Sequence, residues 1–335
     1  MSDNGPAEGS GNMTTKGLSL NELSDRLRPT VDALETERRS VLSATIMRAA
    51  IGAGGGALLA VILALFGLSL LIPIILLLGG AIIGFVLAMG RVKAFKDRAA
   101  ETLAAPVVEA IGDVEYTRSP VNVLDAETFF SLNLVSRGNQ QFYADRLSGR
   151  YRETDFMLVE CKTRRRSRSR TGQRTGSTTS SKTLFVGLLV KISVPVEFGG
   201  TVFIGQDYGK LGNMLGGMVA KFSGDLKPVE FPESQFEQSY QVYSDNPETA
   251  YRLISEEFAK TMVQFVSVAR GGRPRAAFAN GSFLLALPWR GGFMEPVKML
   301  QPIALTPEWL QEIVDEVTLP HQLIDILHGD GGANP

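Results

Sequence analysis

The chain has 335 residues, of which 44% are hydrophobic, and a formal net charge of −1 at pH 7. Such a balance gives no global attraction to nucleic acid or to acidic substrates. One cysteine and two histidines exclude an internal disulfide and disfavour zinc, haem and iron–sulfur sites. We therefore expect no metal site, no cofactor and no catalytic residue that the composition announces.

The first part of the chain changes from a polar leader to an amphipathic pattern. Residues 1–17 are rich in Gly, Ser, Asn and Thr, which predicts disorder. Residues 18–48 place leucines among charged side chains at heptad-like spacing, which predicts a juxtamembrane helix, kinked or restarted at Pro29. This helix could pack on its own protein or form a coiled coil with a second copy.

An uncharged run follows, from Ala49 to Gly90. As one helix it would measure about 63 Å, roughly twice the hydrocarbon core of a bilayer. The run is interrupted near its middle by residues 67–70 and by Pro73. We therefore expect two transmembrane helices joined by a tight turn.

Small residues support a hairpin over 49–90. They recur at every fourth position in each half of the run. The residue numbers of each pair, such as 52 and 88, add up to 140, so a hairpin that folds at Leu70 would place the two members of each pair opposite one another. Small side chains allow two helices to approach closely in lipid, either within one hairpin or between two copies. The predicted packing residues are Gly52, Gly56, Ala60, Gly80, Gly84 and Ala88.

The flanking charges predict the orientation. Basic residues precede the first span and follow the second, whereas the turn between them is uncharged. This favours a multi-pass protein of a bacterial inner membrane with both termini in the cytoplasm. Neither span contains an ionisable residue, which disfavours a channel or transporter subunit. The flanking residues are Arg38, Arg39, Arg48, Arg91, Lys93, Lys96 and Arg98.

Residues 91–330 are expected to form a cytoplasmic α+β domain with a largely antiparallel sheet and packed helices, before a disordered tail at 331–335. Asn280-Gly281 predicts a hairpin between two strands. Asn246-Pro247 predicts the start of one helix that runs to Phe265, and Thr306-Pro307 predicts the start of another, followed by a short final helix that ends at Gly329. Further strands are predicted at Thr154–Thr163, Lys182–Val196, Thr201–Ile204 and Phe236–Tyr243.

Between two of these strands, residues 162–182 are polar and strongly basic, which predicts a long solvated loop. An anionic membrane leaflet would attract each base with about 1 kcal/mol within a screening length of about 8 Å. An acidic protein surface is a second candidate partner, and a loop without a dedicated role is a third interpretation. Nucleic acid is disfavoured because no aromatic residue lies within 162–174. The basic residues are Lys162, Arg164, Arg165, Arg166, Arg168, Arg170 and Arg174.

Cys161 directly precedes this basic run. Neighbouring positive charge can lower the pKa of a thiol and make it reactive. A nucleophile also needs a positioned base, and the only histidines, His321 and His328, lie far along the chain. A structural thiol is therefore favoured.

The order of several short segments resembles a bacterial family catalogued as a domain of unknown function, number 3137. The resemblance covers roughly Leu20 to Leu327 and includes a two-span hairpin ahead of the folded domain, but it implies no activity and no site residue. The basic loop departs from it. The segments that carry the resemblance are Asp145–Tyr151, Leu184–Leu189, Phe198–Val202, Phe236–Asp245 with Glu248 and Ala250, and Ala277–Gly281.

Together these features favour a membrane-anchored cytoplasmic protein that binds or scaffolds a partner without catalysing a reaction. The alternative is a membrane-tethered enzyme whose site is not visible in the sequence. The partners to consider are the bilayer itself, anionic lipid headgroups, an acidic protein and a second copy of the chain.

Overall fold

The structure is a computed structural model that describes residues 20–65, 71–121, 123, 125–170, 177–194, 196–205, 226–232, 234–269, 271–295 and 297–329. The expected disordered segments at 1–17 and 331–335 and the predicted turn at 67–70 lie outside the described residues. The chain divides into two compact units, one from the described parts of 111–293 and 315–329, the other from 20–110 and 294–314. We call them the sheet unit and the helical unit. This division differs from the expected one, because residues 91–110 join the helices of the N-terminal part.

Two long helices dominate the helical unit. Helix α1 spans Leu20–Leu65 and α2 spans Leu71–Ile111. Helix α1 continues through Pro29, so the helix does not restart there. Outside the apolar run, in the first part of α1 and the last part of α2, residues are buried at a spacing of three or four. This is the pattern of two helices that pack along their length. The buried residues are Leu23, Leu27, Val31 and Leu34 on α1 and Phe95, Ala99, Leu103 and Val107 on α2.

The apolar halves of these helices are candidate membrane spans. Each helix contains a stretch that is long and apolar enough to cross a membrane. Large apolar side chains of both stretches are exposed, including Ile51 at 68% and Leu87 at 71%. A contiguous exposed apolar surface of this kind is unusual for a protein surrounded by water alone.

Glycines bring the two helices into close contact, at a register different from the expected one. A Cβ at Gly52 would collide with the carbonyl oxygen of Gly80 and would lie 3.4 Å from the Cα of Gly84. The numbers of these pairs add up to 132 and 136, not 140, because α1 ends at Leu65 and α2 already begins at Leu71. Ala60 and Ala88 are not among the residues whose side chains the structure describes.

A charged cluster fastens the segment 294–306 to α1. The Glu35 carboxylate accepts hydrogen bonds from Arg38 Nε at 2.7 Å and from the backbone N–H of Ile303 at 2.9 Å. Arg38 in turn donates from Nη1 to the carbonyl oxygen of Met299 at 2.5 Å. Because Arg38 is only 6% exposed, these charge-assisted bonds are shielded from water and hold the segment firmly.

The sheet unit is built on nine antiparallel strands in the order β1-β2-β3-β4-β9-β8-β5-β7-β6. This confirms the expected α+β class with a large antiparallel sheet. The strands are β1 Val114–Thr117, β2 Gln140–Tyr151, β3 Thr154–Arg170, β4 Ser177–Ser193, β5 Val202–Gly205, β6 Lys227–Val229, β7 Gln241–Ser244, β8 Arg275–Ala279 and β9 Ser282–Pro288.

Helices cover both faces of this sheet, so its central strands are buried on both sides. Every residue of β9 is buried. On one face Phe129 and Phe130 belong to a core that includes Val159 and Leu189. The other face packs aromatic rings, such as Phe258 against Phe283 with centroids 5.4 Å apart. The helices are α3 Ala126–Ser131, α4 Ser234–Ser239, α5 Pro247–Leu253, α6 Glu256–Val268 and α7 Pro307–Leu327, whose first turns belong to the helical unit.

Both histidines lie where the end of α7 meets the turn between β2 and β3. His321 stacks on Tyr151 with ring centroids 4.2 Å apart, and burial lowers the pKa of its imidazole. His328 Nε2 lies 3.0 Å from the Thr154 hydroxyl. An ion pair of 3.0 Å between Arg152 and Asp325 closes the contact. These contacts explain why the last helix packs on the sheet.

Three sequence expectations about local structure are corrected. Phe236–Tyr243 is a short helix followed by the brief strand β7, because the Phe236 and Tyr240 side chains pack together at helical spacing. The helix that starts at Pro247 stops at Leu253, and Ser255 caps a second helix by accepting from Phe258 N–H at 3.1 Å. Downstream, α7 is one helix through Pro320.

The largest correction concerns the basic segment 162–182, whose described residues, 162–170 and 177–182, extend the sheet as paired strands. Strands β3 and β4 remain paired as far as Arg170 and Ser177. Alternating Arg and Ser face a partner strand of Ser and Thr, and the Ser167 and Ser180 hydroxyl oxygens lie 2.8 Å apart. Polar composition suggested a loop, but the alternation of period 2 suits a two-stranded ribbon with both faces in water.

The close helix contact gives a prediction with a matched control in the same turn of α1. Gly52→Leu should lower the free energy of unfolding of the detergent-purified full chain by about 1–3 kcal/mol and its melting temperature accordingly, because the new side chain must displace the backbone of Gly80. A Cβ atom at Gly55 would meet nothing within 4 Å, so Gly55→Leu should not destabilise the chain. Thermal unfolding followed by circular dichroism measures both, and equal losses would contradict the packing.

Candidate functional site

The extended β3–β4 hairpin presents most of its described basic side chains on one of its two faces. We call residues 163–170 and 177–183 the basic ribbon. Residues of one strand alternate between the two faces of a sheet. The basic stripe, which occupies the even-numbered face, therefore consists of Lys162, Arg164, Arg166 and Arg168. Arg170 ends the same strand, its side chain is not described, and Arg174 lies outside the described residues.

The opposite face differs in character. It carries Arg165 and Lys182, which are paired across the strands, followed by Ser167 paired with Ser180. Arg165 therefore points away from the stripe although it is its neighbour in sequence. Of the seven predicted basic residues, the structure brings four described side chains together and separates one from them.

The register of β4 places hydroxyl groups between the arginines of the stripe. A bulge at the step from Thr163 to Arg164 pairs Arg164 with Thr183, Arg166 with Ser181 and Arg168 with Thr179. Directly opposed residues in an antiparallel pair share a face. The even-numbered face thus combines guanidinium donors with hydroxyls, a donor set that suits phosphate and carboxylate oxygens.

Neighbouring residues on the β2 side hold the ribbon in place. The Asn139 side chain accepts from the backbone N–H of Arg166 at 2.8 Å and donates to its carbonyl oxygen at 2.7 Å. A Cβ at Gly138 would collide with the backbone of Arg164. Asn139, Gln140, Arg166, Arg168 and Thr179 line an open groove beside the stripe. The ribbon is therefore fastened on one side before it projects into solvent.

An aromatic side chain that the sequence did not reveal lies beside the stripe. Phe142 in β2 pairs with Lys162 in β3, which places it on the same face. It is 48% exposed, and the Arg164 guanidinium lies 5.6 Å from its ring centroid. No aromatic residue lies within 162–174, and only the pairing of β2 with β3 brings this one to the stripe.

The charges of the stripe are available to a ligand. Within the described part of the chain, none of its four residues forms an ion pair with a carboxylate. Arg166 and Arg168 are exposed, while Lys162 and Arg164 are half-buried beside Phe142. The stripe can therefore bind an anionic surface without first breaking an internal ion pair.

Cys161 does not contribute to this site. Its side chain is fully buried in the core on the opposite face, and burial raises the pKa of its thiol to about 12. The positive charges that could have lowered this pKa begin on the other face of the same strand. The structural role expected for this thiol agrees with its surroundings.

A buried ion pair in the middle of β2 also has a structural role. Asp145 accepts from Arg118 Nη1 at 2.6 and 2.5 Å and from the Tyr116 hydroxyl at 2.5 Å. Burial raises the pKa of the Asp145 carboxyl to about 6 despite the neighbouring guanidinium. The group is 0% exposed, so it cannot reach a ligand from outside.

The sheet unit also has an open polar cavity of 750 Å³. At its wall, Asn246 caps α5, and its side-chain oxygen accepts from Glu248 N–H at 3.2 Å. Thr249 donates its hydroxyl to the Gly199 carbonyl, and Arg252 donates to the Glu197 carbonyl. Hydrogen bonds to the protein therefore occupy several of these polar groups, and the described lining residues include neither cysteine nor histidine. The cavity is lined by Glu197, Phe198, Gly199, Asn246, Glu248, Thr249, Arg252 and Gly281.

Comparison with known proteins adds a family but no activity. Residues 183–328 match the family model described as a protein of unknown function (DUF3137). No curated protein sequence matches the chain. The crystal structure of the mycobacterial trehalose monomycolate transport factor A is similar at a TM-score of 0.31 and 11% identity, over 66% of this chain and 94% of that chain. That likeness is too distant to support an inference.

The family match includes the polar cavity but not the basic strand. It begins in β4 at residue 183, after the whole of β3. Residues that carry the sequence resemblance contribute Phe198, Gly199, Glu248 and Gly281 to the cavity lining. The basic stripe is therefore a feature of this chain outside the matched region.

The fastening of the ribbon gives a prediction. Asn139→Ala should remove two hydrogen bonds to the backbone of Arg166 and loosen the ribbon locally, with little effect on the core. Amide hydrogen exchange at residues 164–168 should accelerate by up to about thirtyfold, since the two lost bonds contribute about 1 kcal/mol each. Exchange in β9 serves as the internal control, and unchanged exchange in the ribbon would contradict this role of Asn139.

Proposed function

The chain belongs to the DUF3137 family, and we propose that it is a membrane-anchored binding protein whose sheet unit binds an anionic partner through the basic stripe. The observation that carries this proposal is the alternation that places four basic side chains on one face of a projecting ribbon. Such a surface suits binding better than catalysis, because it offers many equivalent donors and no single reactive group.

The membrane part of the proposal is supported by the two apolar helices. We infer that α1 and α2 cross the inner membrane as a hairpin with both ends of the chain in the cytoplasm. Arg48 and Arg91 mark the ends of the uncharged run, and further basic residues follow on the same side of the hairpin. The segment between the helices carries no charge that would oppose its transfer across the bilayer.

The close contact of Gly52 with Gly80 supports anchoring over transport. Helices that touch through their backbones leave no space for a hydrated path between them. A second copy of the chain could still associate with the hairpin through its outer faces. Transport through a single hairpin is therefore not part of the proposal.

The orientation can be tested with reporter fusions to the full chain. A reporter that is active only outside the cytoplasm should be inactive when fused after Asp330 and active when inserted after Leu68. The reason is that positively charged flanks are retained in the cytoplasm during insertion. Activity after Asp330 would show that the proposed orientation is wrong.

Binding can be tested with two double variants that remove the same charge from opposite faces. Arg166→Ser/Arg168→Ser affects the stripe, and Arg165→Ser/Lys182→Ser affects the other face. The detergent-purified full chain should bind immobilised heparin, a generic polyanion, and the stripe variant should bind about tenfold more weakly at physiological salt.

The opposite-face variant is the matched control and should retain most of the affinity. Serine already occupies alternate positions in this strand, so the ladder should tolerate both variants. Equal losses in the two variants would mean that only net charge matters, and the stripe would not be the binding surface.

A further inference from the structure

We propose that the partner of the basic stripe is the anionic lipid surface of the bilayer that carries α1 and α2. This inference rests on the proposed function and names the ligand of the same site. It adds a second, reversible membrane contact to the anchoring helices. The surface is formed by Lys162, Arg164, Arg166 and Arg168 with Phe142 beside them.

The geometry of the stripe suits a planar array of phosphate groups. Its members lie at alternate positions of one strand, so successive basic side chains are about 6.6 Å apart along a straight line. Between them the partner strand contributes the hydroxyls of Thr179, Ser181 and Thr183. Guanidinium groups donate two parallel hydrogen bonds to a phosphate, and neighbouring hydroxyls can donate a third. All these donors face the same way.

The exposed Phe142 ring indicates an interface between water and an apolar phase. Aromatic side chains are enriched where headgroups meet the hydrocarbon region of a bilayer. An exposed ring contacted by a guanidinium is also suited to that boundary, because the cation can remain with the phosphates while the ring is partly desolvated. An acidic protein surface would not by itself require an aromatic side chain here.

The covalent connection to the apolar helices favours lipid over nucleic acid. A tethered domain encounters the surface of its own membrane at high effective concentration, whereas a nucleic acid must arrive by diffusion. Phe142 is also the one aromatic side chain that the described register places beside the stripe, whereas sequence-independent binding of single strands stacks successive bases on several rings.

The test uses the full chain reconstituted into vesicles. Ser180→Cys introduces an exposed thiol next to the stripe without removing one of its donors, and the native Cys161 is buried, so a fluorophore can be attached at one site. Quenching by a lipid with a spin-labelled headgroup reports contact with the surface. One vesicle type is phosphatidylcholine alone, and in the other phosphatidylglycerol replaces about a third of it.

Quenching should be strong in the anionic vesicles, weak in the neutral ones and lost at high salt. With Arg166→Ser/Arg168→Ser the docked-to-free ratio should fall by about thirtyfold, corresponding to roughly fivefold for each base. The matched variant Arg165→Ser/Lys182→Ser should dock nearly as well as the parent. A parallel sample in neutral vesicles receives a fluorescent oligonucleotide or polyglutamate.

Three results would overturn the inference. The first is equal quenching in neutral and anionic vesicles, and the second is an equal loss in the two double variants. The third is stripe-dependent binding of the oligonucleotide or polyglutamate without quenching in anionic vesicles, which would assign the stripe to that other partner. If heparin binding still depended on the stripe in these cases, the proposed function would remain and only the lipid assignment would fail.

Discussion

The register of β3 against β4 is the constraint on which the rest of the sheet unit and its basic surface depend. In the inner half of the pair, buried side chains such as Val159 and Leu189 fix this register, because a slip of one residue would turn the core outward. The alternation of side chains in β3 continues into the ribbon, whereas its pairing with β4 shifts by one residue at the bulge between Thr163 and Arg164. The hydrophobic core therefore decides which arginines share a face, although it contacts none of their charged groups.

The turns and helix starts that are marked by short local motifs could be predicted from the sequence. Asn280-Gly281 marked the hairpin of β8 and β9, and Asn246-Pro247 marked the start of a helix with its side-chain cap. The basic ribbon was missed because its composition resembles a solvated loop. Its alternation of Arg and Ser was nevertheless visible, and reading that period would have predicted both the strand and the one-sided stripe.

Other parts of the site depend on contacts between distant residues and could not be predicted from one sequence. Asn139 binds the backbone of a residue 27 positions away, and no local pattern distinguishes it from other loop asparagines. Phe142 acquires its place beside Arg164 only through strand pairing. The predicted register of α1 against α2 was wrong because the spacing of the small residues alone does not determine which of them face each other.

The binding of residues 294–306 to α1 has a consequence for synthesis on the ribosome. Glu35 and Arg38 are made early, but their partners at Ile303 and Met299 follow only after the whole of 111–293. Arg38 and Met299 are 261 residues apart, so at about 5–20 residues per second the delay is roughly thirteen to fifty seconds. The helical unit is thus begun first, but its residues are complete only at 314, shortly before the last residues of the sheet unit. Until then Glu35 and Arg38 lack their partners from residues 299 and 303 and remain in contact with water.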